Sequence, residues 1–97
     1  MQAIFHTTGL VGTGAMGRGI AQMAAQAGST VLLYDTQPSA AAAARSVLQT
    51  TWQTLVGKGK LDPERAEVYL SQVQAVDSLA ALAPCDLVIE AVVEQLD

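Results

Sequence analysis

The chain is short of the side chains that carry most enzyme chemistry. Among 97 residues there is one cysteine, Cys85, and one histidine, His6. A lone thiol closes no internal disulfide, and no group of residues has metal-ligand spacing, so disulfide and zinc scaffolds are excluded and a reducing compartment is allowed. Five Lys and Arg stand against nine Asp and Glu, a formal net charge of -4, and the basic residues are scattered. No basic patch is therefore available for nucleic acid, and an anion would have to be held by backbone amides. No apolar run approaches the length of a membrane span, and the N-terminus lacks the charged flank and long apolar region of a secretory signal; the expectation is a cytoplasmic protein with no membrane partner. No internal repeat is visible.

What is present is a composition 51% hydrophobic, enough for one globular domain with a modest core. The most informative stretch is Gly9-Leu10-Val11-Gly12-Thr13-Gly14-Ala15-Met16-Gly17-Arg18-Gly19-Ile20-Ala21. It reads as a strand, a tight turn and the start of a helix. Gly12, Gly14 and Gly17 have G-x-G-x-x-G spacing: the first lets the chain turn sharply, the second lets backbone approach a pyrophosphate, and the third lets helix pack on strand. Amides at the helix start then face phosphate, helped by the helix dipole.

That spacing alone is weak, because any strand-to-helix turn uses glycine. A second apolar run, Thr30-Val31-Leu32-Leu33-Tyr34, strengthens it by ending in Asp35, 18 residues beyond Gly17. That is close to where a dinucleotide fold places its ribose-binding acid. A carboxylate there accepts hydrogen bonds from ribose hydroxyls and repels a 2′-phosphate, so the expected cofactor is NAD rather than NADP. The competing reading of Asp35 is a turn residue closing a strand.

Small residues over residues 16–27 predict a helix that sits close to a sheet and is stopped at Gly28. Ser39 is a candidate cap for a long helix over residues 40–56, driven by five alanines, with Leu48, Trp52 and Leu55 on one face. Trp52 reads either as core or as a stacking platform for a base, the first being the commoner role of an aromatic on an apolar stripe. Gly57-Lys58-Gly59-Lys60 breaks this helix; Asp62 as cap and Pro63 at the first helical position start another to about residue 72. Two helices exceed what a plain crossover needs, and such an insertion is a candidate for substrate contacts through Lys58 and Lys60, which read equally as solvated loop charges. Gln74-Ala75-Val76 is a short strand candidate. Asp77-Ser78 caps a brief helix over residues 79–82, ended by Pro84. Residues 86–93 read as a central parallel strand covered on both faces, with Glu90 and Glu94 as candidate site residues or capping acids at its end. Cys85 is expected to be a buried small apolar residue.

The set Gly12-x-Gly14-x-Met16-Gly17-x-Gly19-Ile20-Ala21, Tyr34-Asp35, Lys58-Gly59-Lys60 and Asp86-Leu87-Val88-Ile89-Glu90-Ala91-Val92-Val93-Glu94 resembles the N-terminal domain of the 3-hydroxyacyl-CoA dehydrogenases. The resemblance is to the 3-hydroxybutyryl-CoA and phenylacetate-pathway 3-hydroxyadipyl-CoA type. It covers nearly the whole chain. It implies an α/β fold, a Rossmann-type parallel sheet of strand order 3-2-1-4, truncated, with a helical pair inserted between strands 2 and 3. It also implies oxidation of the 3-hydroxyl of an acyl-CoA with hydride passing to NAD. By resemblance Gly12, Thr13, Gly14, Ala15, Met16 and Gly17 contact the pyrophosphate, Asp35 the adenosine ribose, and Ala91, Val92, Val93 and Glu94 the nicotinamide half. Lys58 matches a lysine that meets CoA phosphate, and Thr51 falls where many members have a serine near CoA. Phe5-His6-Thr7-Thr8 departs from the usual Val- and Ile-rich first strand.

The family's catalytic histidine, its partner glutamate, and the serine and asparagine that orient substrate lie beyond the Glu94 motif. His6 is on the wrong side of the glycine turn to replace that histidine. A complete doubly wound domain needs more than 97 residues. The expectation is an N-terminal fragment that binds NAD without dehydrogenase activity, lacking the helical C-terminal domain through which the full-length protein forms a homodimer. Two other readings compete. The 3-hydroxyisobutyrate and 6-phosphogluconate type dehydrogenases share the glycine turn and Met-Gly but usually lack Glu-Ala-Val-Val-Glu and the helical insertion. A non-catalytic NAD-sensing module would need an attached effector domain.

Overall fold

A computed structural model describes residues 6–91. Four short strands, β1 (Thr7–Val11), β2 (Thr30–Tyr34), β3 (Val73–Ala75) and β4 (Leu87–Glu90), form one parallel sheet in the order β3-β2-β1-β4. The chain steps outward from β1 to β2 to β3 and then returns to the far side of β1. The order therefore reverses at β1, and the crevice at its carboxyl end is where such sheets hold ligands.

The helices α1 (Ala15–Gln26), α2 (Ala40–Gly57) and α3 (Pro63–Ser71) build the core on one face of this sheet. Alternation along the strands turns Leu10, Val31, Leu33 and Val73 to that face, where they meet Ala21, Ala25, Ala41, Ala44, Leu48 and Trp52. Gly17, Ala21 and Ala25 are the buried residues of α1. Their four-residue spacing and small size let the helix lie close to β1 and β2. Trp52 is 1% exposed, donates its indole N–H to Gln26 Oε1 at 3.0 Å and tilts against Tyr69 with ring centroids 5.6 Å apart. It is core, worth about 3–5 kcal/mol against alanine.

The inserted helical pair is α2 and α3. Asp62 accepts from the Glu64 amide at 2.9 Å with Pro63 at the first helical position, the start signal that the sequence carries. Arg45 on α2 donates from Nε to the Val73 carbonyl at 2.7 Å and from Nη2 to the Leu70 carbonyl at 3.2 Å. One side chain thus ties α2 both to the end of α3 and to the start of β3.

Several expectations are corrected. Ser39 gives α2 no side-chain cap: it stands left-handed at φ 67°, whereas a capping hydroxyl reaches the first turn from extended backbone. The stop at Gly28 is kept: Ala27 is the cap of α1, and Gly28 follows at φ 97° with its amide donating to the Ala25 carbonyl and the Ser29 amide to the Ala24 carbonyl, both at 3.0 Å. The third strand begins at Val73, one residue earlier than expected, because the buried side chain that fixes its register is Val73. β4 is not a strand covered on both faces. It ends the described sheet, with Ile89 packed on the core and Val88 48% exposed on the opposite face. There, among the described residues, Leu82 of the 3-10 turn Leu79–Leu82, Cys85 and Val88 lie against Gly9, and Cys85 is half-buried rather than buried.

Candidate cofactor site

The β1–α1 turn begins where β1 runs out beside β2. Val11 pairs with Tyr34, and the Gly12 amide donates to the Tyr34 carbonyl at 2.9 Å. Gly12 turns at φ 100°, a conformation in which a side chain is strained. Gly17 sits over that turn, so that a Cβ there would press into the Gly12 carbonyl oxygen and come within 3.6 Å of Ala91 Cβ. Two of the three motif glycines are thus required by the fold itself.

Gly14 is different. Its φ of -69° is open to any residue, and a Cβ there would meet nothing within 4 Å. It is the N-cap residue of α1, supplies no side-chain cap, and no acid stands in the first turn. The first amides of a helix have no intrahelical partner, and here neither a capping side chain nor an acid of the first turn serves them. An open space in front of a helix start with no acid in its own first turn fits a bound phosphate. Arg18 adds positive charge nearby, with Nη1 reaching the Thr13 carbonyl at 3.4 Å. A cation in the opening turns of a helix opposes the dipole, and this departure is a signal in the sequence that the glycine spacing overshadows.

Asp35, one residue past β2, closes the site from the other side. Its Oδ2 accepts from the Thr13 amide at 2.8 Å and the Thr13 hydroxyl at 2.8 Å, and its Oδ1 accepts from the Gln37 amide at 2.9 Å. The Gln37 amide does most to hold the carboxyl below its ordinary value; burial pushes the other way, and the Thr13 amide, the Thr13 hydroxyl and the Thr36 amide add to the lowering. Asp35 is therefore a carboxylate at neutral pH, in front of the glycine turn. Val11, Gly12, Thr13, Gly14, Asp35, Thr36 and Ala91 together line a recess of about 190 Å³. A larger cleft of about 720 Å³ continues from Asp35 over Gln37 and Ser39 to Val76 and Asp77, along the carboxyl ends of β2 and β3.

The model of the family described as "3-hydroxyacyl-CoA dehydrogenase, NAD binding domain" matches residues 7–97. The chain belongs to this family. It is 41% identical to the 3-hydroxyadipyl-CoA dehydrogenase of Escherichia coli K12 over 92 residues, which are 95% of this chain and 19% of that protein. It is 38% identical over 86 residues to a probable 3-hydroxybutyryl-CoA dehydrogenase of Deinococcus radiodurans, covering 89% of this chain and 31% of the relative. The crystal structure of an Escherichia coli 3-hydroxybutyryl-CoA dehydrogenase superposes with a TM-score of 0.88 at 40% identity, covering 94% of this chain and 19% of that one. The chain thus spans about a fifth to a third of the length of these proteins.

In this NAD-binding domain the residues singled out from sequence fall in three places. Gly12, Thr13, Gly14, Asp35 and Ala91 meet in the recess, while Ala15, Met16 and Gly17 form the first turn of α1 above it. Thr51 and Lys58 stand apart on the helical pair. Thr51 lines a groove of about 480 Å³ on the outer side of α2 with Ser46, Val47, Thr50, Thr54 and Leu55, and Lys58 is exposed at the C-cap of α2. Glu90 pairs in register with Val11, at the rim of the crevice. Val92, Val93 and Glu94 lie outside the described residues. His6 is at the opposite end of β1, about 20 Å from the glycine turn at strand rise. Its amide is held by Asp86 Oδ2 at 2.9 Å. Cys85, packed against Gly9, has its thiol pushed up by burial and by the charge of Asp86. Neither residue stands where a reaction at the crevice would use it. Among the described residues no group of three His, Cys, Asp or Glu is placed to hold a metal ion, and no helix is long and apolar enough to cross a membrane.

Proposed function

We propose that this chain is the cofactor-carrying part of an enzyme that oxidises (S)-3-hydroxyacyl-CoA to 3-oxoacyl-CoA by hydride transfer to NAD. The observation that carries the reading is the pairing of an uncapped α1 start, open at Gly14, with an ionised Asp35 fixed in front of it. In this reading the amides from Gly14 to Gly17, beside Thr13, take the pyrophosphate, and Asp35 takes an unphosphorylated ribose. Ala91, with Val92, Val93 and Glu94 beyond it, follows the nicotinamide half. When bound, NAD supplies the hydride acceptor; these residues hold and select it.

The acyl-CoA substrate is supported by the relatives, which are named for 3-hydroxyadipyl-CoA and 3-hydroxybutyryl-CoA. Thr51 and Lys58 are the residues of this chain that we assign to CoA, with Lys58 meeting phosphate. The lone half-buried thiol fits the reducing conditions of a cytoplasmic enzyme. No acid or base for the chemical step is assigned among these residues. The test is calorimetric titration of the 97-residue chain with NAD and with NADP, beside an assay of acetoacetyl-CoA reduction. Binding of NAD in preference to NADP, with no reduction, is expected. Turnover by this chain, or equal affinity for the two cofactors, overturns the reading.

A further inference from the structure

Resting on the NAD reading above, we propose that the Thr13 side chain is a positioning residue for cofactor selection. Its hydroxyl locks the Asp35 carboxylate with one oxygen turned to the glycine turn, leaving the other to face the ribose.

Thr13 is the middle residue of Gly-Thr-Gly, a place whose spacing argument asks nothing of the side chain. Yet Thr13 is only 4% exposed, and its hydroxyl is spent on Asp35 Oδ2 at 2.8 Å, the same oxygen that its own amide reaches at 2.8 Å. A carboxylate offers about four lone-pair sites. The two Thr13 donors fill Oδ2, and the Gln37 amide takes one site on Oδ1 at 2.9 Å. Turning the carboxylate breaks all three bonds at once. Oδ1, held by the Gln37 amide with the Thr36 amide beside it, is the oxygen not engaged by Thr13: it suits a hydroxyl donor, whereas a phosphate at neutral pH brings negative charge to a carboxylate that is held in place. On its other side the Thr13 peptide is met by Arg18, whose Nη1 lies 3.4 Å from the Thr13 carbonyl.

The hydrogen bond from the Thr13 amide is open to every residue but proline, so the hydroxyl can be removed alone. Without it Oδ2 keeps only the Thr13 amide, the carboxylate is held less firmly toward the recess, and repulsion of a 2′-phosphate relaxes. Selection between NAD and NADP should therefore fall more than affinity for the part of the cofactor they share.

The experiment is titration of the 97-residue chain and its Thr13→Val, Thr13→Ser and Asp35→Asn variants with NAD and NADP. It is paired with an NMR titration of the Asp35 carboxyl in the ligand-free protein. Thr13→Val is expected to lower the NAD-over-NADP preference about tenfold, the worth of one hydrogen bond to a charged group. Thr13→Ser restores the preference, Asp35→Asn abolishes it, and Asp35 titrates at higher pH in Thr13→Val than in wild type. Thr13→Ala, which adds no bulk, carries the same expectation should the valine variant not fold. A wild type that shows no preference, or an Asp35→Asn variant that keeps it, overturns the NAD reading itself. A wild type that selects through Asp35, beside Thr13→Val and Thr13→Ala variants with the same preference, overturns the role of the hydroxyl alone. Equal weakening of both cofactors does so too, since that is what a structural role predicts.

Discussion

The carboxyl rim of the sheet and the outer side of α2 are both rich in hydroxyls and amides, and they spend them in opposite ways. At the rim, donors and an acceptor 22 residues apart in sequence converge: the Thr13 amide and hydroxyl meet Asp35. On α2 the hydroxyls of Ser46, Thr50, Thr51 and Thr54 each turn back to the carbonyl four residues earlier. The rim is assembled by tertiary structure and preset around a fixed negative charge. The helix side is satisfied locally, and its hydroxyls present acceptors only while those bonds last. A preset site binds without first reorganising, so its ligand should depend steeply on single atoms, whereas contacts on α2 should be shallow.

The sharpest way to probe this contrast is Gly17→Ala. A methyl group there is driven into the Gly12 carbonyl, backbone that cannot yield, so the loss should be about 2–3 kcal/mol, read as a fall of about 10–20 °C in melting temperature. Gly14→Ala should separate ligand from fold: the methyl enters open space, stability should stay within about 1 kcal/mol of wild type, and NAD affinity should drop at least about tenfold. If NAD affinity survives Gly14→Ala, the empty space is not where phosphate sits.

A third measurement follows acid. Because the folded state holds Asp35 below its ordinary value, the stability its bonds contribute is present above the unfolded value of about 3.9 and is lost as pH falls through the lower folded value. Melting curves of wild type and Asp35→Asn should differ by a constant gap from neutral pH down to about 4 and converge below it. A gap that closes at higher pH would mean that the carboxyl is not held down.

The smallest effects belong to the helical pair. Lys58→Ala should leave NAD affinity unchanged and weaken binding of free coenzyme A by about threefold or less, as expected of an exposed charge meeting phosphate. A larger loss would make the helix side depend on single groups as steeply as the rim does, and would erase the contrast.

Much of this is legible in the order of residues alone. Thr30–Tyr34 has the same two ends in sequence and in structure, because a β-branched and apolar run between Gly28-Ser29 and Asp35 leaves little choice. The α3 start at Asp62-Pro63 is equally local. The errors fall where distant packing decides. Ser39 has the chemistry of a cap, but the chain arrives there left-handed. The run around Val88 has the composition of a covered strand, yet its place beside β1 leaves one face bare in the described residues. Asp35 stands out by its distance from the glycines; that Thr13 holds it is not visible in sequence, because a threonine inside a turn has no periodicity to betray it.

The sequence by itself determined the elements, their order, the family, and the two places, a backbone turn and an acid, that the structure brings into one recess. Those follow from local chemistry: glycine at strained φ, apolar periodicity, caps, and chain length between strands. Only the tertiary structure decided which glycine is demanded by the fold and which leaves room for a ligand, and how the Asp35 carboxylate is oriented. The glycine decision depends on how the turn folds back on itself, bringing Gly17 over the Gly12 carbonyl, and the carboxylate on atoms that parallel pairing of β1 with β2 brings together across 22 residues, at distances no local pattern encodes.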